Sequence, residues 1–239
     1  KKPIPFRHHD NPDYNELEKL KEFLKARGLR KGMNESNPRE KIKNWLEEIY
    51  KKEKSFSLIY QILRSMKLAV YSGKESKHFA LGLNEYCHFT SPIRRYSDLV
   101  THRVIKSIIE KKGSSYSQDE IDEIATVCSE KDREAEKIVR ESSKYLGCKC
   151  AEQNIGKEFT GEIVAVLEFG VFIHINGLNI EGFCHIKNLK RSPYYVYDAT
   201  AHSLTSANKN NIYTLGDKFK IKIKSVESSR KRIDLKVLN

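Results

Sequence analysis

Apolar positions recur with a helical period through the first two-thirds of this chain and with a strand period through the last third. Leu17, Leu20, Phe23 and Leu24 share one face of a segment that follows Asp10-Asn11-Pro12 and ends at Gly28. Asn37 and Pro38 open a second segment, striped by Ile42, Trp45, Leu46 and Ile49. A third runs from about Ser57 to Leu68. Ser91 is a natural N-cap and Pro92 suits a first helical position. They predict a helix reaching about Glu110, with Tyr96, Leu99, Val100, Val104 and Ile108 turned inward. Ser117-Gln118-Asp119-Glu120 has the capping-box pattern. It opens a long charged helix to about Ala151, whose packed face is expected at Ile121, Ile124, Ala125, Cys128, Ala135, Val139, Ser142 and Leu146.

Near Gly156 the period changes. Alternation runs through Phe159, Ile163, Val164 and Val166, then through Val171, Phe172, Ile173 and Ile175. Three further short runs follow, at Phe183–Ile186, Phe219–Lys224 and Ile233–Val237. Five short strands separated by glycine turns predict a small barrel of the OB type. The stretch Asp198 to Asn211 is polar and reads as an insertion loop. The fold class is therefore α+β and multidomain. A mainly helical part is expected over 1–154 and a five-stranded OB-fold barrel over 155–239.

Composition narrows the partners. The chain has 239 residues, 38% hydrophobic and 32% charged, with a formal net charge of +12. That excess of cations favours a polyanion such as nucleic acid. No apolar run approaches the roughly 20 residues of a spanning helix, so a membrane is not the expected partner. The five cysteines, Cys87, Cys128, Cys148, Cys150 and Cys184, are odd in number and irregular in spacing. They read as reduced thiols in a cytoplasmic setting. Cys148-Lys149-Cys150 lacks the spacing of a zinc site, and no metal ligands are expected in this chain.

The chemistry concentrates first in His88-Phe89-Thr90-Ser91-Pro92-Ile93-Arg94-Arg95-Tyr96. Two guanidinium groups are placed in a first helical turn, where free N–H groups already make the potential positive. A bound phosphate would offset this, and the planar fork of Arg suits it. A carboxylate partner elsewhere in the fold accounts for the pair equally well. The wider run, from His78-Phe79-Ala80-Leu81-Gly82-Leu83-Asn84-Glu85-Tyr86-Cys87 to Ser97-Asp98-Leu99-Val100-Thr101-His102-Arg103, closely resembles a signature of the RNase II/RNase R family of 3′-to-5′ exoribonucleases. Leu63–Tyr71 resembles that family too. His88-Phe89 and the paired arginines are more similar to its RNase R branch.

The resemblance implies that residues 1–154 are the C-terminal helical part of the family's RNB catalytic domain. It implies hydrolysis of RNA from the 3′ end to nucleoside 5′-monophosphates, with Mg2+ in the intact enzyme. Arg94 would contact the reacting phosphate, while Ser91 and Arg95 would bind RNA, Arg95 gripping an adjacent phosphate or a carboxylate. The family's metal-binding aspartates lie earlier in that domain. Asp10 and Asp13 read as helix caps, and Asp119 and Asp122 lie on a charged helix face. The chain is thus expected to be part of a nuclease whose N-terminal half is its partner, and to be inactive alone. The alternative is a single-stranded RNA-binding module without catalysis.

A second constellation lies in the barrel. Gly161–His174, followed by Glu181-Gly182-Phe183-Cys184-His185-Ile186, resembles the RNA-binding domain first named from ribosomal protein S1. By that resemblance Phe169, Phe172 and His185 form a stacking surface, flanked by Glu227 and Arg232. Lys187, Lys190 and Arg191 follow His185 and would neutralise phosphates. From alternation alone Phe169 and Phe172 point to opposite faces, which leaves at least one of them in the core. A bulge at Gly170 would bring both to one side. Elsewhere, His8 and His9 read as surface residues, His102 as packed or phosphate-facing, and His174 as solvent-facing. Tyr194, Tyr195 and Tyr197 read as a cap on the barrel, with base stacking the open alternative.

Overall fold

The Asp13 carboxylate starts the first helix by accepting from the N–H groups of Asn15 (2.9 Å) and Glu16 (3.3 Å). Helix α1 follows over Tyr14–Ala26 and ends where Gly28 adopts φ +79°. Asn37 caps α2 (Pro38–Lys52) through a 3.0 Å bond from the Arg39 N–H. Helix α3 spans Phe56–Arg64 and stops short of the expected Leu68. These coordinates are a computed structural model describing residues 2–113, 115–190, 192, 194–199, 201–208 and 211–238.

Two short strands, β1 (Phe6–His8) and β2 (Val70–Ser72), pair antiparallel. His9, expected at the surface, is buried: its Nε2 bonds the Lys67 carbonyl at 2.7 Å and its ring stacks on His78. Helix α4 covers Tyr96–Ile109 and α5 covers Gln118–Glu152. The capping box at α5 is formed in both directions, with Ser117 N–H to Glu120 at 2.7 Å and Glu120 N–H to Ser117 Oγ at 3.3 Å. Its expected packed face is only partly covered. Ile121 and Ala125 are buried, whereas Ala135, Val139, Ser142 and Leu146 are exposed. Tyr96 and Ile108 of α4 are likewise exposed, while Val100 and Val104 are buried.

The chain forms two compact units that do not follow chain order. One comprises Lys1–Leu17, Asn34–Ile42 and Ser65–Ile138; the other comprises Glu18–Met33, Lys43–Arg64 and Val139–Asn239. The second unit holds a closed barrel of β3 (Glu158–Leu167), β4 (Gly170–Ile175), β5 (Ile180–His185), β9 (Lys218–Glu227) and β10 (Arg232–Val237). The strand order is β10-β5-β4-β3-β9, and β10 closes onto β5 in parallel at Asp234 and Phe183. These are the five expected strands. Ile163, Val171, Ile173, Ile175, Ile221, Ile223 and Leu235 fill the interior at zero exposure, one face of each alternating strand.

The expected polar loop from Asp198 to Asn211 is instead interrupted by a strand, Ser203–Ser206, which pairs with strands on either side of it. Strands β6 (Tyr195–Asp198), β7 (Ser203–Ser206) and β8 (Ile212–Thr214) make a three-stranded antiparallel sheet. Leu204 and Tyr213 bury completely in the barrel core, and that apolar burial outweighs the polar composition around them. Tyr195 and Tyr197 pack on the same core, as expected of a cap, while Tyr194 is exposed.

Helix α3 belongs to the barrel's unit, and a buried carboxylate fixes it there. Glu162 of β3 accepts from Ser55 Oγ (2.6 Å), Ser57 Oγ (2.6 Å) and Ser57 N–H (2.9 Å) at the N-terminus of α3. Three donors and the positive end of the helix dipole offset the cost of burying the charge.

Candidate nucleic-acid interface

The paired arginines do not sit in the first turn of a helix. Ser91–Arg95 is a turn in which the N–H groups of Arg94 and Arg95 donate to the Ser91 carbonyl, at 3.2 and 3.0 Å. Helix α4 begins one step later, with Arg95 as an N-cap that supplies no side-chain capping bond. The cause is Asp98. Its carboxylate is fully buried and accepts from the Ser91 N–H (2.8 Å), from Arg95 Nη2 (2.8 Å) and Nε (3.2 Å), and from Ser97 Oγ (3.1 Å). Ser91 is therefore held by its main chain, and among the described residues its hydroxyl makes no capping bond to α4. Burial alone would raise the Asp98 carboxyl pKa; the Ser91 N–H, the Arg95 guanidinium and the Ser97 hydroxyl outweigh it and hold it below the ordinary carboxylate value.

The two arginines thus separate in role. Arg95 grips a carboxylate, one of the two partners open to it in the sequence. Arg94 is exposed, and its side chain has no hydrogen bond or ion pair among the described residues. The turn carrying it is braced from both sides. His88 Nδ1 meets Tyr71 Oη at 2.9 Å, and Arg7 lies over the Tyr71 ring at 4.6 Å while pairing with Asp132 at 2.8 Å. His102 Nε2 bonds the Phe89 carbonyl at 2.7 Å, with the two rings 4.3 Å apart. His102 is thus packed. Burial, then Arg95 and Arg7, push the His88 pKa below its ordinary value.

On the barrel, Phe169, Phe172 and His185 do come together, around a residue the sequence did not single out. Phe183 lies 5.6 Å from Phe169, 5.1 Å from Phe172 and 6.3 Å from His185, and the Arg232 guanidinium sits 5.9 Å over its ring. These side chains, with Arg230 and Lys231, line a hollow of about 520 Å³. Period-two alternation along β5 puts Phe183 and His185 on one face, a signal present in Phe183-Cys184-His185. Phe169 is outside the strand, in the turn before Gly170, so the opposite-face argument does not apply to it. A Cβ at Gly170 would strike the Cys184 carbonyl and come within 2.6 Å of Phe183 Cζ. Only glycine lets that ring close over the turn.

His185 Nδ1 accepts from the Lys187 N–H at 3.1 Å, which leaves Nε2 as the ring's N–H. Lys187 therefore orients His185 through its main chain; its own side chain is exposed and does not line the hollow. Arg232 is held by Asp234 at 2.9 Å, and Glu227 pairs with Arg230 at 3.2 Å. Lys190 is exposed, and Arg191 lies outside the described residues. His174 is not simply solvent-facing: it stacks on Phe56. Among the described residues no group of three or more His, Cys, Asp or Glu side chains is placed to hold a metal ion. No described helix is long and apolar enough to cross a membrane.

Comparison with known proteins gives the family of each part of the chain. The RNB domain model matches residues 1–111, and the S1 RNA binding domain model matches residues 152–238. Ribonuclease R of Vibrio parahaemolyticus is 35% identical over 251 residues, covering 100% of this chain and 30% of that protein. Ribonuclease R of Escherichia coli is 32% identical, covering 100% of this chain and 31% of that protein. The chain thus spans about a third of the length of the curated relatives it matches. Mycoplasma genitalium RNase R, solved in complex with ribose methylated single-stranded RNA, superposes with a TM-score of 0.86 at 26% identity, over 98% of this chain and 38% of that one. Carrying an RNB segment followed by an S1 RNA binding domain, and aligning throughout with ribonuclease R, the chain belongs to the ribonuclease R family.

Proposed function

We propose that this chain is the C-terminal part of a hydrolytic 3′-to-5′ exoribonuclease, with residues 1–154 completing an RNB catalytic domain and residues 155–239 forming its S1-type RNA-binding domain. The observation that carries the reading is the hollow around Phe183, where tilted and edge-on aromatic rings and Arg232 converge on one barrel face. Bases stack on such faces at about 1–3 kcal/mol each, and the adjacent cations take phosphates. Arg94 supplies the second element, a guanidinium available to an RNA phosphate. In the intact enzyme it stabilises charge building on the phosphate under attack. The described residues do not fit the Mg2+ that the family resemblance implies, so we assign the metal ligands to the remainder of the longer protein. The five free cysteines suit a cytoplasmic setting.

The test is product analysis of the full-length protein on 5′-labelled RNA with magnesium. Stepwise shortening from a free 3′ end, with release of nucleoside 5′-monophosphates, is the expected result. Internal cleavage, or no cleavage, sinks the proposal. The 239-residue chain alone should bind the RNA without shortening it; degradation by it would overturn the assignment of the metal ligands.

The hollow makes its own prediction. Gly170→Ala crowds the Cys184 carbonyl as well as Phe183, and the displaced ring should weaken binding of a single-stranded oligonucleotide about tenfold, as loss of one stacked base does. Fluorescence anisotropy reads this directly. Wild-type affinity in that variant, with Phe183 displaced, would mean that bases do not stack there.

A further inference from the structure

Outside the hollow, four planar groups of the barrel's unit line up in a second column. The His174 ring stacks on Phe56 at 4.9 Å, and Phe56 stacks on Tyr60 at 5.9 Å with 11° between their planes. The Arg64 guanidinium lies 5.9 Å over the Tyr60 ring. Phe56, Tyr60 and Arg64 are spaced four apart along α3, so they occupy one stripe rising about 12 Å. A purely structural aromatic cluster would be buried, yet Phe56 is 48% and Tyr60 39% exposed.

The column neighbours the hollow along β4. Phe172 and His174 are alternate residues of β4 and point from the same outer face of the barrel. Phe172 pairs across the strands with Phe183, and His174 with Glu181. From Phe169 through Phe183, Phe172, His174, Phe56 and Tyr60, one face presents a run of rings that ends on a guanidinium. We propose that single-stranded RNA leaves the Phe183 hollow along β4 and continues onto α3, with a base stacking on Tyr60 and Arg64 pairing with a phosphate. This rests on the reading of the hollow as an RNA site. Stacking needs no base identity, which suits a surface that tracks a strand of any sequence. A guanidinium at the limit of cation–π reach gives up little when a base takes its place. Arg64 also sits in the last turn of α3, where a cation favours the helix dipole, and that structural role is the competing account.

The test compares a tetranucleotide with an oligomer of about twelve nucleotides, a span within the usual range of OB-fold sites. Affinities of the 239-residue chain are measured by anisotropy with oligoadenylate RNA. Tyr60→Ala combined with Arg64→Ala should weaken the longer oligomer about tenfold and leave the tetranucleotide unchanged. Arg64→Glu, at an exposed position, should alone lower the longer oligomer's affinity and reduce its salt slope by about one. Equal affinities for the longer oligomer in wild type and both variants overturn the extension. So does an equal loss for both lengths, which would report a barrel disturbed as a whole. A Phe169→Ala variant that keeps wild-type tetranucleotide affinity overturns the hollow itself, and the extension with it.

Discussion

Arg94→Ala in the full-length protein should lower the turnover number about 100- to 1,000-fold, the usual cost of deleting one group that stabilises transition-state charge. RNA affinity should fall far less if, as proposed, other cations and the aromatic hollow supply most of the binding. The unequal effect follows from how the arginines are used. Arg95 is committed to Asp98, whereas Arg94 extends from a turn braced by His88, Phe89 and His102 and has no partner among the described residues. Arg94→Lys keeps the charge but loses the two-pronged geometry, and should restore turnover only in part. Single-turnover rates at saturating RNA separate the two quantities. An unchanged rate in Arg94→Ala would remove Arg94 from the reaction, and a loss confined to affinity would make it an ordinary phosphate contact.

The barrel was legible in the chain because its signals are local. Period-two alternation, glycine turns and β-branched runs located all five strands, and the Phe-Gly-x-Phe pattern located the hollow. The centre of that hollow was missed, since Phe183 reads as one more core residue unless its face is tracked against His185. The sheet from Tyr195 to Thr214 was missed for a different reason. Its Val, Tyr and Thr favour strands, but Ser, Asn and Asp between them hide the alternation. The stripe on α5 shows a related limit, because an apolar face at Ala135–Leu146 tells which side is greasy without telling whether anything covers it.

The turn at Ser91 was misplaced because local capping rules compete with a more distant group. Ser91 and Pro92 are good helix-start residues, yet the Asp98 carboxylate draws the Ser91 N–H and the Arg95 fork into a tighter clasp and delays the helix to Tyr96. No rule of spacing ranks a buried ion pair against an N-cap, since the outcome depends on burial that only the folded packing sets.

That clasp gives the second large effect. Asp98→Ala should destabilise the RNB part of the chain by about 3–5 kcal/mol, the cost of removing one partner of a buried ion pair. It strands the Ser91 N–H and a guanidinium that is only 23% exposed. Urea unfolding followed in that part of the chain measures the loss, and the Arg95→Ala, Asp98→Ala double variant should lose less than the two single variants summed. The pH dependence has a definite sign. The folded-state pKa of Asp98 is lowered, so its contribution is complete above the unfolded value of about 3.9 and disappears as pH falls through the lower folded value. The stability gap between wild type and Asp98→Asn should therefore stay level through neutral pH and close only in strong acid. A gap that closes near pH 6 would point to His88 rather than Asp98 as the titrating group. The absence of any gap would mean that the turn presenting Arg94 is held by its ring contacts alone.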